Sequence, residues 1–116
     1  MKGTLKSRAR LQQLFETGKR IRGRNALLLY SKLEGPWAFA FIAGKRLGGA
    51  VVRNRAKRRL RAAAAYALAK WTPSEGAQLV LLANARTLKV PFEALVEDLC
   101  QILAQSGCAA REAEKA

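Results

Sequence analysis

The amino-acid sequence predicts an α+β fold, or a mixed α/β fold, in which a long basic helix and a C-terminal helix pack on a small sheet. Three observations support this fold class. Half of the 116 residues are hydrophobic, which suits one domain with a single core. Apolar runs of strand length are interspersed with amphipathic segments of helix length. The predicted order is helix, strand, strand, helix, strand, helix, which places helices over a sheet.

The first predicted element is a short helix over residues 8–16. Its apolar residues recur at helical spacing, and Gly18 stands where the helix would stop. The residues on its apolar face are Leu11, Leu14 and Phe15. This face is expected to pack on the sheet.

Two strands are predicted next, over residues 26–31 and 37–43. The first is an apolar run, and the second alternates so that its three aromatic residues share one sheet face. Those residues are Trp37, Phe39 and Phe41. A Gly-Pro pair at 35–36 predicts a turn, so the two strands could pair as a hairpin.

The second half of the chain contains a long helix, a strand and a final helix. Residues 50–70 are predicted to be helical, because their apolar residues form one stripe, and the Thr-Pro pair at 72–73 ends the helix. The stripe consists of Val52, Ala56, Leu60, Ala63 and Ala67. Residues 78–83 form a continuous apolar strand, expected to be covered on both faces. Pro91 stands in the first turn of the final helix, and Gly107 lies just past its end.

These elements predict one domain over residues 1–107, followed by a polar, Ala-rich tail over 108–116 that frays. No run of 18 apolar residues encodes a membrane helix, and the N-terminus does not resemble a secretory signal. The two cysteines, Cys100 and Cys108, have no metal-ligand spacing and are expected to be thiols in a reducing compartment. We therefore expect a cytoplasmic protein.

Positive charge is concentrated in the first half of the chain. The formal net charge is +14, from 22 basic and 8 acidic residues. Residues 1–24 carry +7 and residues 44–61 carry +8, whereas residues 62–116 carry −1. Two concentrated basic segments favour nucleic acid as the partner, with an anionic membrane surface as the second candidate.

The basic residues of the long helix are predicted to form a phosphate-binding surface. A group of five polar residues spans about 140° of the helix, opposite the apolar stripe. The group consists of Arg53, Asn54, Lys57, Arg58 and Arg61, while Arg55 and Arg59 lie outside it. No acidic residue neutralises this segment, so phosphate groups are its natural counter-charge. Arginine also suits folded RNA, because it binds phosphate bidentately and stacks on unpaired bases.

The sequence contains no set of residues that is typical of an enzyme active site. It contains no histidine, which removes the commonest general base and metal ligand. The few acidic residues suggest solvated faces, and no glycine-rich phosphate loop with a Lys-Ser or Lys-Thr pair is present. We expect no catalytic residue, no metal site and no cofactor bound by the protein.

Residues 50–61 resemble the arginine–asparagine–arginine signature of the bacterial ribonuclease P protein subunit. The resemblance extends over most of the chain: residues 45–48 are similar to the basic loop of that family, 14–18 to the end of its first helix, and 27–30 to its first strand. The resemblance implies an α/β sandwich with a small mixed sheet, in which the strands flanking the long helix are joined by a left-handed crossover.

The resemblance also implies a function and a set of contacts. In this family a catalytic RNA cleaves the 5′ end of precursor tRNA with Mg²⁺, and the protein binds both that RNA and the 5′ leader of the precursor. The implied contacts to the RNA subunit are Lys45, Arg46, Arg53, Asn54, Arg55, Lys57, Arg58 and Arg61. The implied leader cleft contains Leu11, Phe15, Arg24 and Tyr30. The resemblance favours core positions for Phe39 and Phe41 and leaves Trp37 open.

Three other classes of protein are alternatives to this interpretation. A ribosomal protein would have similar size and basicity, but the signature segment favours ribonuclease P. A DNA-binding regulator would need a helix and a tight turn before residue 50, where a strand and a glycine loop are predicted. A peripheral membrane protein would need large apolar anchors opposite the charges, and the stripe is mostly Ala and Val. We therefore expect neither DNA nor a membrane as partner.

Overall fold

The computed structural model describes residues 8–32 and 35–111. All six predicted elements are present, and their bounds differ from the predicted ones by no more than two residues. The helices are α1 (Arg8–Thr17), α2 (Ala50–Lys70) and α3 (Phe92–Ser106). The strands are β1 (Lys19–Arg22), β2 (Ala26–Lys32), β3 (Ala38–Ile42), β4 (Trp71–Pro73), β5 (Ala77–Ala83) and β6 (Ala109–Arg111). Strands β1, β4 and β6, and a single 3₁₀ turn at Lys45–Leu47, are additions to the prediction.

The main sheet has the strand order β1-β2-β5-β3. Strand β2 is antiparallel to both β1 and β5, while β3 is parallel to β5. The predicted hairpin between residues 26–31 and 37–43 is therefore wrong. The continuous apolar strand β5 is buried on both faces and lies between the two segments, so neither pairs with the other. The hairpin partner of β2 is β1, and the N–H of Gly23 donates to the carbonyl of Ala26 at 2.9 Å in the turn between them.

A crossover connection joins β3 to β5 through α2, because these two neighbouring strands are parallel. The predicted α+β class with a small mixed sheet is confirmed. The left handedness of the crossover stays a prediction from the resemblance.

The sheet separates two apolar clusters. The larger cluster lies between the sheet and helices α2 and α3, and includes Leu28, Phe39 and Leu60. The smaller one lies under α1 and is built on Leu14 and Leu29. Because successive strand residues point to opposite faces, each central strand contributes to both clusters. Within the described residues, no helix is long and apolar enough to cross a membrane.

The C-terminal segment is ordered further than the sequence predicts. Cys108 and Ala109 are buried, and β6 pairs antiparallel with β4. The N–H of Ser74 also donates to the carbonyl of Cys108 at 2.6 Å. The fraying predicted for the tail is therefore wrong for residues 108–111, and the rest of that segment lies outside the described residues.

The reversal at Gly107 explains this ordering. Gly107 has φ of +71°, a conformation that glycine adopts without strain, and it turns the chain back after α3 as the sequence predicts. The chain then runs beside the segment that follows α2. Burial raises the pKa of the Cys108 thiol above its ordinary value of 9.0, since the thiolate would lose its hydration there.

Candidate nucleic-acid interface

Helix α2 presents an exposed cationic face to solvent. Its buried residues are Ala56, Leu60, Ala63, Ala64 and Ala67. The exposed residues on the opposite side include Asn54, Arg55, Arg58 and Arg61, which we call the arginine face. No acidic residue occurs anywhere in the helix. The arrangement leaves the guanidinium groups of this face without an acidic neighbour on their own helix.

Three of the predicted contact residues are placed differently from the prediction. Arg53 and Lys57 are half-buried at the flank of the helix, and Arg55 belongs to the exposed face. The reason is Ala64, which lies two turns beyond Lys57 and packs into the core. It widens the buried side beyond the predicted stripe, so the basic group is not centred opposite that stripe. The Nε of Arg53 is buried and has no hydrogen-bond partner among the described residues.

Lys45 and Arg46 lie in the 3₁₀ turn directly before α2, and both are exposed. The turn is closed by the N–H of Gly48, which donates to the carbonyl of Lys45 at 3.2 Å. Gly48 has φ of +138°, and a Cβ there would come within 3.3 Å of Val52. Both constraints favour glycine at this position. The turn packs against α2, so it adds two exposed cations next to the helix that carries the arginine face.

A separate groove lies on the face of the sheet that carries α1. It has a volume of about 350 Å³, and Phe15, whose side chain is 39% exposed, forms part of its wall. The other lining residues are Arg20, Arg22, Leu27, Leu29, Leu82, Ala83 and Asn84. An Nη of Arg20 donates to the carbonyl of Phe15 at 3.1 Å, which ties β1 to α1. The groove combines an aromatic ring with two arginines and an apolar floor.

Of the four residues predicted for the leader cleft, the structure brings only Phe15 to this groove. Leu11 is half-buried and packs in the small cluster under α1. Tyr30 points to the opposite face of the sheet, because it follows Leu29, which faces α1. Tyr30 lines a different hollow, beside Lys19 and Cys108.

The fourth residue, Arg24, lies in the turn after β1. It lines a hollow together with the acidic residues Glu97 and Asp98. Arg20 and Arg22 were not predicted as groove residues. The alternation of residues 19–22 is the signal that could have found them, since a strand there places Arg20 opposite Leu29 and Arg22 opposite Leu27.

A buried polar network holds the interface elements together. The hydroxyl of Thr87 donates to the carbonyl of Asn25 at 2.6 Å and accepts the N–H of Asn84 at 3.0 Å. An Nη of Arg59 donates to the carbonyl of Thr87 at 2.7 Å. A carboxylate oxygen of Asp98 accepts the N–H of Asn25 at 2.9 Å. The network joins α2, α3, the β1–β2 turn and the loop after β5, and no sequence pattern indicates it.

Metal ligands are not clustered in the part of the chain that the structure describes. No group of three or more Cys, Asp or Glu residues there could hold a metal ion.

The fold and these surfaces define a small α+β RNA-binding protein, with an arginine-rich helix and a separate basic groove across the sheet. A family model described as Ribonuclease P matches residues 1–107. The chain belongs to the ribonuclease P protein family, whose functions are RNA binding and tRNA processing.

Relatives in other bacteria agree with this assignment. The chain is 34% identical over 110 residues to the ribonuclease P protein component of Symbiobacterium thermophilum, covering 93% of this chain and 94% of that protein. It is also 34% identical over 116 residues to the ribonuclease P protein component of Syntrophomonas wolfei, covering 98% and 95%. Most of each protein is therefore aligned.

Two solved structures share the fold. The RNase P protein of Staphylococcus aureus has a TM-score of 0.74 at 16% identity, over 92% of this chain and 97% of that one. The RNase P protein of Thermotoga maritima has a TM-score of 0.73 at 20% identity, over 88% and 96%. At these identities the likeness concerns the fold alone.

Proposed function

We propose that this protein is the non-catalytic subunit of ribonuclease P and that it supports cleavage of precursor tRNA at its 5′ end by the RNA subunit. The observation that carries the proposal is the arginine face of α2, which is exposed and has no acidic residue on its helix. In the proposal the RNA holds the Mg²⁺ ions and performs the hydrolysis. The compartment we propose is the cytoplasm.

The arginine face suits the RNA subunit. Arg55, Arg58 and Arg61 can each bind phosphate through a planar fork of donors, and Asn54 can hydrogen-bond a base edge or a ribose hydroxyl. Lys45 and Arg46 extend the positive surface beyond the start of the helix. We assign supporting roles to Arg53 and Lys57, whose half-buried side chains reach the surface from the flank.

The groove beside α1 suits the single-stranded leader of the precursor. The exposed ring of Phe15 can stack on a base, and Arg20 and Arg22 can follow the phosphate backbone. Leu11 supports the helix from beneath, while Tyr30 and Arg24 lie outside this groove. We therefore propose a leader site centred on Phe15.

The decisive experiment is cleavage of labelled precursor tRNA by a bacterial ribonuclease P RNA at low Mg²⁺, with and without this protein. We expect the protein alone to be inert and the RNA to cleave at the correct 5′ position only when the protein is present. If the protein binds the RNA tightly without restoring cleavage by a matched RNA subunit, a structural RNA-binding role of the ribosomal type replaces this proposal.

Paired variants test the assigned surfaces in the same assay. The double variant Arg55→Glu/Arg58→Glu should lose RNA-subunit binding, because it removes two phosphate contacts and introduces two repulsive charges. The control Lys70→Glu/Lys89→Glu makes the same charge change at two exposed lysines that are not part of the arginine face. Equal losses in both would mean that only net charge matters.

The leader site is tested by Phe15→Ala. We expect about a tenfold weaker affinity for precursor tRNA and an unchanged affinity for mature tRNA, since only the precursor has a leader to stack on the ring. Equal weakening for both RNAs would place the leader elsewhere.

A further inference from the structure

We propose that Arg61 and Phe41 form a stacking platform for an unpaired nucleobase of the ribonuclease P RNA. The inference rests on the proposed function and deepens it, because it assigns base stacking, beyond phosphate binding, to one position of the arginine face.

A row of aromatic rings begins just before strand β3, runs along it and ends beside Arg61. The ring centroids of Trp37 and Phe39 are 5.8 Å apart, with planes at 88°. Those of Phe39 and Phe41 are also 5.8 Å apart, with planes at 21°, so these two rings are stacked. The Cζ of Arg61 lies 5.6 Å from the centroid of Phe41. The cation of Arg61 therefore lies over a ring that is itself stacked on the buried Phe39.

The row passes from the core to the solvent. Phe39 is fully buried, Phe41 is half-buried, and Arg61 is exposed. Strand β3 is also at the edge of the described sheet, with β5 as its single neighbour. Arg61 is therefore the most exposed member of this row.

The aromatic ring of Phe41 under Arg61 makes this arginine better suited to base stacking. A guanidinium group over an aromatic face is attracted by the ring quadrupole, and its side chain loses less freedom when a ligand binds. Phosphate binding needs only the charge and the donors, which the other exposed arginines also supply. A group supported on one face by a ring is suited to accept a base on the other.

The surroundings favour RNA as the source of that planar group. Residues 44–61 carry +8 with no acidic residue, so the platform lies in a strongly positive surface. Asn54 and Arg58 are exposed on the same helix and can bind the ribose and phosphate of a stacked nucleotide. Base stacking tolerates any of the four bases, so the platform requires an unpaired nucleotide and no particular sequence.

The first test is Arg61→Lys, which keeps the positive charge and removes the planar group. We expect affinity for the full-length ribonuclease P RNA to fall about tenfold. The slope of log affinity against log salt should stay unchanged, because the number of cations is the same. Arg61→Gln should weaken binding further and reduce that slope by about 0.7 to 0.9.

The second test is Phe41→Leu, which retains an apolar side chain on β3 and removes the ring. We expect a loss similar to that of Arg61→Lys, and little additional loss in the double variant, since both changes remove the same platform. Tyr66→Leu is the matched control. Tyr66 is an exposed aromatic residue of α2 whose ring contacts Phe92 of α3, so its loss should leave RNA affinity unchanged.

The outcomes separate this inference from the proposed function. If the wild-type protein does not bind the RNA, the proposed function fails and the platform with it. If the wild-type protein binds and Arg61→Lys binds equally well, Arg61 is a phosphate contact and only the platform is refuted. Arg61→Lys is a surface change, so its result does not depend on how Phe41→Leu folds.

Discussion

The buried hydroxyl group of Thr87 makes two hydrogen bonds. Its side chain has no exposed surface, and the hydroxyl both donates to the carbonyl of Asn25 and accepts the N–H of Asn84. Removing this oxygen would leave the buried carbonyl of Asn25 and the part-buried N–H of Asn84 without their partner. An unpaired buried polar group costs more than the hydrogen bond itself contributes.

We predict that Thr87→Val lowers the free energy of unfolding by about 2 kcal/mol, because the side chain keeps its shape but loses both hydrogen bonds. Urea denaturation measures the change. Thr17→Val is the control: the Thr17 hydroxyl also donates to a carbonyl, that of Gln13 at 2.8 Å, but it is exposed to water. Losses of equal size would show that burial of the Thr87 hydroxyl is unimportant.

At single positions, the sequence predicts which side chains are buried where the periodicity of one helix or strand is enough to decide it. It placed Leu14 on the buried face of α1 and predicted a cationic face on α2 opposite its apolar stripe. The family resemblance grouped Tyr30 with Phe15, whereas the structure has Tyr30 on the sheet face opposite Leu29, since neighbouring strand residues point to opposite faces. The hydrogen-bond network around Thr87 could not be predicted from the sequence, because its members lie up to 73 residues apart in the chain.

The pairing of β4 with β6 is the element that sequence reasoning could not find. Each strand has three residues, too few to show a period, and each exists because the other pairs with it. The long helix α2 was predicted with its observed bounds, since 21 residues provide a clear periodic pattern. Strand β1 was also missed, because its four residues are mostly charged and exposed.

We predict that truncation after Gly107 destabilises the protein by about 2 to 4 kcal/mol, because it removes the buried Cys108 and Ala109 together with β6. The full chain is the reference. Thermal and urea unfolding of both proteins measure the difference. Matching stabilities would mean that β6 contributes nothing to the fold.

At the scale of the whole molecule, the net charge can be predicted from the sequence but the topology of the sheet cannot. The formal charge of +14 follows directly from the sequence, and it indicated nucleic acid as the leading class of partner. The strand order does not follow from the sequence in this way, because local patterns of residues do not indicate which strands are neighbours in the sheet. The turn at residues 35–36 suggested a hairpin, but the apolar strand β5 occupies the place between β2 and β3.

We predict that the free energy of unfolding of the isolated protein rises with added NaCl at low ionic strength, because salt screens the mutual repulsion of the excess cations. Urea denaturation at several salt concentrations measures the trend. The variant Arg55→Glu/Arg58→Glu lowers the net charge by four, to +10, and should show a weaker dependence on salt. A flat response in the wild-type protein would contradict the argument.

The place of β5 in the sheet also governs the order of events on the ribosome. Strands β1 and β2 can pair as soon as they emerge, but β3 has no neighbour until β5 is synthesised, and 34 residues separate Ile42 from Ala77. Closing so distant a contact is slow compared with forming a helix. The nascent chain therefore carries an apolar, unpaired strand throughout the synthesis of α2, and this interval is when it is most exposed to aggregation and to capture by chaperones.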